Sequence, residues 1–519
     1  MAILTIDGWE IPVESVTRGV EYLDTYKRAF SGNLRDGTRF AKRKWDVTTA
    51  YLNQDDARTL RALIHNEGDR LSANHILGST KWDNDSKNFL VSNKGNVIGA
   101  SNVATYRPFE GPNDTHAFAL EPDTTNLFKN DSAVNPSLEG TLSGGGTTFT
   151  LSGFTISATN LNVTQDTENP YHGTKALKMS YKAGGGTAWK IFWNNYVTKT
   201  ITDLGLAVGD TITFSWYERH NIDLSTISGA DYIPQLKFYD TNKKEIAGTA
   251  VSLTSLGPTN LNWHRHSITA TIPANTVYLL PQVGFDSPDF TINQYYYIDA
   301  LQLEKAPYAT SFIMDTRTST SGTMPFVINY NTSEISIFVK VKPSGLSASY
   351  AFPIQFTNDD YAWIYRCAAN SSSHRFDIYF ENGSTKTFIT AIENLWDNLV
   401  LVYNYSTSIV RIYRNGTKVT EVAETRKLYP NVTTLSLSPD GNFLISEIYI
   451  LPIAVSDSFA KAYTSSWLVP NNNLLVSGDC ANGQVVPCYA ELGDTETASY
   501  WQGGTVYLAE KVRFTLYEI

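Results

Sequence analysis

Apolar and polar residues alternate along most of this chain. In residues 211–219, Ile212, Phe214 and Trp216 fall on one side while threonine and serine fall on the other, and residues 335–341 alternate in the same way. A period of two is typical of a β-strand with one buried face. Such stretches recur at short intervals without helices between them, which predicts antiparallel β-sandwiches.

Turn and cap residues mark the ends of these stretches. Three dipeptides are suited to tight hairpin turns: Asp7-Gly8, Asn382-Gly383 and Asn415-Gly416. One helix is predicted over residues 55–67, because Asn53 can cap it and apolar residues recur on one of its faces. A second, short helix is predicted after Ser456.

The pattern divides the chain into four parts. Residues 119–314 and 315–470 each predict a β-sandwich, whereas residues 76–118 are polar and aperiodic, which predicts a linker. Residues 1–75 and 471–519 each hold strands that have too few apolar neighbours to form a core alone. We therefore predict a mostly β protein in which these two end parts share a small, discontinuous α+β base domain that carries both sandwiches.

Composition and charge exclude several classes of protein. The 519 residues include 41 Lys and Arg against 51 Asp and Glu, which gives a net charge of −10. This balance argues against nucleic acid as a partner, since phosphate binding needs clustered basic residues. No apolar run approaches the ~20 residues of a membrane span, so we expect no membrane insertion. The first residues have neither a basic leader nor an apolar core, so we expect no signal peptide.

The first predicted sandwich carries motifs of a known kind of module. They are TNLFKN at 125–130, NPSLE at 135–139, YIDALQLE at 297–304 and YATSF at 308–312. Together they resemble the carbohydrate-binding jelly-roll modules found beside xylanases and in phage tail proteins. The resemblance covers about residues 121–314 and implies a jelly-roll fold.

Two further resemblances point to the same kind of protein. VLVY at 400–403 and RIYRNG at 411–416 resemble the middle strands of the concanavalin-A/laminin-G sandwich. The stretches around 4–13 and 28–43 and the predicted helix, completed by residues 477–489 and 512–518, resemble the small attachment domain of siphophage minor tail proteins. The combination implies a component of the virion tail, made in the host cytoplasm, whose partners are other phage tail proteins and a host surface glycan. We expect it to be a homo-oligomer.

Candidate ligand-binding residues lie in the first sandwich. Trp189 and Trp193 share strand parity, and with Tyr196 they predict an aromatic platform on which a sugar ring stacks; the alternative is that they fill the core. The jelly-roll resemblance implies that Glu139 and Asp299 help to hold a structural calcium ion, for which hard oxygen ligands are suited. Cap or turn carboxylates are the alternative role for these two residues. No organic cofactor is expected.

Catalytic signatures are missing from the sequence, so we predict that the protein is not an enzyme. It has no G-x-S-x-G, H-E-x-x-H or P-loop motif. The nearest carboxylate pair, Asp377 and Glu381, would lie about 13 Å apart along a strand, which is too far for a glycosidase pair. His264 and His266 share a strand face, but no third metal ligand is near them in sequence. Two alternative functions stay open: a purely structural tail or capsid decoration protein, and a tail-borne polysaccharide depolymerase.

Overall fold

The computed structural model describes most of the chain. The described residues are 2–23, 27–28, 34–35, 40–77, 89–92, 105–107, 110–159, 161–182, 189–222, 234–253, 260–285, 291–317, 319, 322–325, 333–344, 349–357, 365–392, 396–428, 432, 434–437, 442–466, 474–478, 486–502 and 505–518. The protein is mostly β, as the alternating pattern predicted, and its strands form antiparallel sheets. No described helix has the length and apolar character needed to cross a bilayer.

The elements follow one another in this order. Up to residue 125 they are β1 (Ala2–Ile6), β2 (Trp9–Leu23), β3 (Lys27–Arg28), β4 (Leu34–Arg35), β5 (Phe40–Thr49), β6 (Leu52–Asn53), α1 (Gln54–Ile64), β7 (Asp69–Leu77), β8 (Phe89–Ser92), β9 (Thr105–Arg107), a 3₁₀ turn (Pro112–Asp114), β10 (Ala117–Leu120) and β11 (Thr124–Thr125). A second 3₁₀ turn (Leu127–Asn130) precedes β12 (Ser143–Gly145), β13 (Thr148–Leu151), β14 (Phe154–Ala158), β15 (Leu161–Asp166), β16 (Ala176–Tyr181), β17 (Trp189–Trp193), β18 (Thr211–His220), β19 (Gln235–Tyr239), β20 (Val251–Ser252), β21 (Asn260–Thr271), β22 (Tyr278–Phe285), β23 (Tyr295–Glu304), β24 (Thr316–Arg317) and β25 (Gly322–Pro325).

The remaining elements complete the second half of the chain. They are β26 (Glu334–Ser344), β27 (Ala351–Thr357), β28 (Tyr365–Ala369), β29 (Ser373–Tyr379), β30 (Thr385–Ala391), β31 (Asp397–Asn404), β32 (Ile409–Arg414), β33 (Thr417–Ala423), β34 (Thr434–Leu437), β35 (Asn442–Leu451), α2 (Asp457–Ser465), β36 (Leu474–Gly478), β37 (Val486–Gln502) and β38 (Thr505–Glu518).

Local sequence explains several of these boundaries. Asp7 and Gly8 have φ angles of +49° and +84°, and the hairpin pairs Ile6 with Trp9 on either side of them, which is the geometry expected of an Asp-Gly turn. The side chain of Asn53 accepts a hydrogen bond of 2.8 Å from the backbone N–H of Asp56, so it caps α1 as predicted.

The first sandwich consists of two facing sheets. We call β12-β13-β14-β17-β22-β19-β20 the front sheet and β15-β16-β23-β18-β21 the back sheet. Their inner faces share one apolar core, which includes Ile156, Trp193 and Trp216. The outer face of the back sheet carries a smaller aromatic cluster around Tyr217 and Trp263.

The second sandwich draws strands from outside its predicted span. The joining sheet runs β33-β32-β31-β26-β35-β10-β9, with β7 paired to β35 and β8 paired to β7, and it faces the outer sheet β25-β34-β27-β28-β29-β30. The predicted linker, residues 76–118, was therefore wrong where β8, β9 and the first half of β10 lie. These strands are short and pair through the backbone, which needs no apolar alternation that a sequence would show.

The two ends of the chain meet in one sheet that closes on itself. The order is β37-β36-β1-β2-β5-β38, β37 also pairs with β38, and β6 adds to β38. Phe514 pairs with Val47, and Leu516 pairs with Trp45. We call this closed sheet the base barrel; closure removes sheet edges that would otherwise pair with other chains.

The base barrel and the joining sheet share a core. Barrel residues such as Ile11 and Phe514 pack together with Leu60 of α1, Phe459 of α2 and Phe338 of the joining sheet. The joining sheet is thus covered on both faces, by the outer sheet on one side and by the barrel and helices on the other. Helix α2, which the sequence placed in the second sandwich, packs in this shared core.

Candidate functional site

The predicted aromatic platform is wrong for its two tryptophans. Trp189 and Trp193 lie side by side on β17 as their parity predicted, but they are only 1% and 0% exposed and point into the core of the first sandwich. Trp193 donates from Nε1 to Asp131 Oδ2 at 2.9 Å. Tyr196 is half-buried against the rings of Phe192 and Tyr239. Two buried rings offer no face to a sugar.

Glu139 and Asp299 meet at one loop. The backbone N–H groups of Thr174 and Lys175 donate to Glu139 Oε1, and those of Tyr171 and His172 donate to Asp299 Oδ2. Both carboxylates therefore clamp residues 171–175.

The carboxyl group of Asp299 is buried near the charge of Glu139. Burial raises the pKa of Asp299 well above its usual range, and the nearby charge of Glu139 raises it further, while three backbone N–H donors oppose the rise. Hard carboxylate oxygens are the ligand type that calcium prefers. No cluster of three His, Cys, Asp or Glu side chains suited to a metal occurs in the described part of the chain, so backbone carbonyls or water would complete any calcium shell. Calcium at this loop stays a prediction.

Asp377 has a structural environment. It lies on β29 and accepts from Arg366 Nε at 2.5 Å and from Arg375 Nε at 2.6 Å, and it is 1% exposed. Glu381, in contrast, is an exposed turn residue beyond the end of β29. The two residues therefore do not lie on one strand, as the 13 Å spacing along a strand assumed.

His266 belongs to a buried polar cluster centred on Glu218. Its Nε2 lies 3.0 Å from Glu218 Oε1, and Trp216 Nε1 donates to Glu218 Oε2 at 2.7 Å. Tyr296 also donates to Glu218, and the His220 Nε2 lies 3.7 Å from it. This cluster lies at one end of the first sandwich, where the core turns polar.

A cleft between the two sandwiches is the best candidate binding site. Its volume is about 300 Å³, at the lower end of the range for small-ligand sites. Residues of edge strand β21 form one wall and residues of the joining sheet form the other, with the segment after β23 between them. We call it the inter-sandwich cleft; its lining residues are Arg107, Glu110, Arg265, Ser267, Thr269, Pro307, Tyr308, Ala309, Lys342 and Leu444.

At one end of the inter-sandwich cleft, two arginines form ion pairs with two glutamates. Arg107 Nη1 donates to both oxygens of Glu110, at 3.0 and 2.8 Å, and its Nη2 donates to Glu121 at 2.7 Å. Arg317 Nη2 lies 3.1 Å from the other Glu121 oxygen. Burial acts to lower the pKa of Arg107, but Glu110 and Glu121 hold it well above its usual value. These charges offset one another.

The other two cations of the inter-sandwich cleft lack such partners. Arg265 donates from Nη2 to Ser215 Oγ at 2.7 Å, but its buried Nε and Nη1 have no hydrogen-bond acceptor among the described residues. Lys342 has no ion pair within the described ranges. Burial lowers the pKa of Lys342, the charge of Glu110 opposes this, and the charge of Arg107 lowers the pKa further. Among the residues that the structure describes, no carboxylate forms an ion pair with either side chain.

Sequence reasoning missed this cleft entirely. Arg107, Arg265 and Lys342 come from three strands that are far apart in the chain. None of them lies in a motif, and only the docking of one sandwich on the other brings them together. The sequence offered one signal, in β21, where Arg265 is the only Lys, Arg, Asp or Glu of the strand.

Comparisons with known proteins give distant similarities. No family model matches the chain, and no curated protein matches it. Among solved structures, the binding domain of botulinum neurotoxin DC is 11% identical, with a TM-score of 0.26, over 38% of this chain and 63% of that one. The CBM40 of the Ruminococcus gnavus IT-sialidase is 8% identical, with a TM-score of 0.23, over 26% of this chain and 84% of that one. The binding domain of Paraclostridial mosquitocidal protein 1 is 13% identical, with a TM-score of 0.26, over 37% and 52%. The chain thus spans less than two thirds of the neurotoxin domain.

Proposed function

We propose that this protein is a non-enzymatic bacteriophage tail component that recognises a glycan on the host surface. The observation that carries the proposal is the inter-sandwich cleft. Its walls combine hydroxyl groups, charged groups and the ring of Tyr308, and saccharides need this mixture because each sugar has polar hydroxyls and apolar C–H faces.

The base barrel supplies the attachment in this proposal. It joins both ends of the described chain in one sheet and packs against the joining sheet of the second sandwich. Other tail proteins and further copies of this chain are the proposed partners of the barrel. A single cleft of this size binds weakly, and several copies on one virion would supply avidity.

Competition for host cells tests the proposal. Purified protein is expected to bind host cells and to reduce phage adsorption, whereas protein with Arg265→Gln and Lys342→Gln loses both effects. A matched control, Lys190→Gln with Arg513→Gln, removes the same charge from exposed positions elsewhere and is expected to retain both. If the two double variants compete equally well, the cleft is not the host-binding site. Release of reducing ends from host polysaccharide would instead favour the depolymerase.

A further inference from the structure

Unbalanced positive charge distinguishes the inter-sandwich cleft from an ordinary polar groove. Its lining contains three basic side chains and one acidic one: Arg107, Arg265, Lys342 and Glu110. Because Arg107 and Arg317 are already matched by Glu110 and Glu121, the surplus rests on Arg265 and Lys342. Glu304 is buried, its charge acts on Arg317 and Tyr308, and it accepts hydrogen bonds from the neutral donors Thr124, Gln302 and Thr310.

Such a surplus is costly for the empty protein. A partly buried cation without a carboxylate partner loses hydration, and for Arg265 the hydroxyl of Ser215 and the ring of Tyr217 replace that hydration only in part. Three guanidinium groups add mutual repulsion, since Arg107 and Arg265 both lower the pKa of Arg317, whose burial lowers it most. An anion between the unmatched cations would relieve both costs. Arginine suits carboxylate and phosphate groups in particular, because its planar fork can donate two hydrogen bonds at once.

We infer that the inter-sandwich cleft binds an anionic saccharide whose acidic group lies between Arg265 and Lys342. This inference rests on the proposed function and specifies its ligand class. The neutral part of the sugar lies toward Ser267, Thr269 and Tyr308, which line the same cleft. Burial, with smaller contributions from Glu121 and Glu304, raises the pKa of Tyr308 to about 12, so its phenol remains a hydrogen-bond donor at neutral pH.

Calorimetric titration of the full-length protein with four probes tests the ligand class. The probes are methyl glucuronoside, glucose 6-phosphate, methyl glucoside and inorganic phosphate. We expect at least one of the two acidic sugars to bind tenfold or more tightly than methyl glucoside, and the two arms show whether carboxylate or phosphate is preferred. Binding should weaken as salt rises, since the attraction is electrostatic. Equal affinity for neutral and acidic sugars, or binding of inorganic phosphate alone, would overturn the inference.

Two variants locate the site and separate binding from folding. Arg265→Gln and Lys342→Gln are each expected to reduce affinity for the acidic sugar by tenfold or more. Neither should lower the melting temperature of the empty protein strongly, because each removes a charge that has no ion pair among the described residues; Arg265→Gln gives up only a hydrogen bond to a hydroxyl and a ring contact. The double control Lys190→Gln with Arg513→Gln should retain affinity. A lower melting temperature with unchanged affinity would show that the two cations are structural, and would refute the inference.

The proposed function and the inferred ligand class can fail independently of each other. If the protein binds host cells through the cleft but prefers neutral glycans, the inference fails and the proposed function survives. If it binds acidic sugars in the cleft but never binds host cells, the proposed function fails and the ligand class survives.

Discussion

Individual residues show what an alternating pattern can and cannot predict. The parity of Trp189 and Trp193 correctly placed both rings on one face of β17, yet that face is the core. A period of two groups residues by face without saying which face meets another sheet. The same limit applies to Arg265, which shares β21 with buried apolar residues on the opposite face. Whether a strand face lines a cleft depends on how the second sandwich packs against the first, and the local sequence does not predict that packing.

Adding and chelating calcium tests whether the ion binds at the loop that Glu139 and Asp299 contact. Calcium is expected to raise the melting temperature of the protein, because a cation offsets the burial and mutual repulsion of the two carboxylates. At a free concentration a hundred times the Kd, the gain would be about 2.7 kcal/mol. Scanning calorimetry with calcium, magnesium or chelator measures it, and Asp299→Asn should abolish the calcium response. Identical melting in calcium and in chelator would refute the prediction.

His220 predicts how stability depends on pH. Burial lowers the pKa of His220 below the ordinary value of 6.5, and His266 and His264 lower it further, while Glu218 and the carbonyl of Ile222 oppose this. Burial lowers the pKa of His116 in the same direction. The unfolded chain therefore binds protons near pH 6.5 that the folded chain does not bind. The free energy of unfolding is thus highest above that pH with respect to these histidines and falls below it.

The expected slope is at most about 1.4 kcal/mol per pH unit for each histidine. Urea denaturation at several values between pH 7.5 and 5 measures it. His220→Asn keeps a donor near Ile222 O, to which His220 Nδ1 now donates at 2.8 Å, and should reduce the slope. A stability that rises on acidification over this range would contradict the assignment.

At the scale of elements, a buried ion network joins the β1–β2 turn to the joining sheet. Arg70 of β7 lies 3.1 Å from Asp7 and 2.9 Å from Glu447 of β35, and Lys340 of β26 lies 2.9 Å from the second Glu447 oxygen. Tyr463 of α2 donates to Glu447 at 2.7 Å. Two cations and two carboxylates thus balance where three elements and a turn meet.

Removing one charged residue of this network should lower the free energy of unfolding strongly. Glu447→Ala leaves Arg70 and Lys340 buried with too little negative charge, which costs about 3–5 kcal/mol. Glu421→Ala is the matched control: Glu421 pairs with Lys418 at an exposed site, where the loss should be below about 1 kcal/mol. Chemical denaturation compares the two variants. Equal, small losses would mean that water reaches Glu447.

At the scale of the whole molecule, the sequence predicted sandwiches and the sharing of a sheet by the chain ends, but it did not predict barrel closure or the joining sheet. Strand pairing such as Phe514 with Val47 follows from two incomplete apolar faces that need each other. The pairing of β7 with β35 has no such signal in the sequence. Leu71 of β7 packs in the core of the second sandwich, but its neighbours in sequence do not show which strand it will pair with.

The shared core predicts that the base barrel and second sandwich lose stability together. Phe514→Ala should cost about 3–5 kcal/mol and should increase hydrogen exchange in the barrel, in α2 and in the joining sheet, which pack around the same core. Phe154→Ala, in the core of the first sandwich, is the matched control and should increase exchange only there. Increased exchange confined to residues 505–518 after Phe514→Ala would show that the barrel is an independent unit.

The connection of the first sandwich to the rest of the chain has a mechanical meaning. The chain enters it from β10, which is hydrogen-bonded in the joining sheet, and leaves it toward β25, which is hydrogen-bonded in the outer sheet. Between them β11 and β24 pair with each other and tie the two connections together at their base. Tension applied to the first sandwich is therefore divided between two covalent tethers anchored in different sheets. If one anchor strand detaches from its sheet, the other tether still connects the sandwich to the rest of the protein.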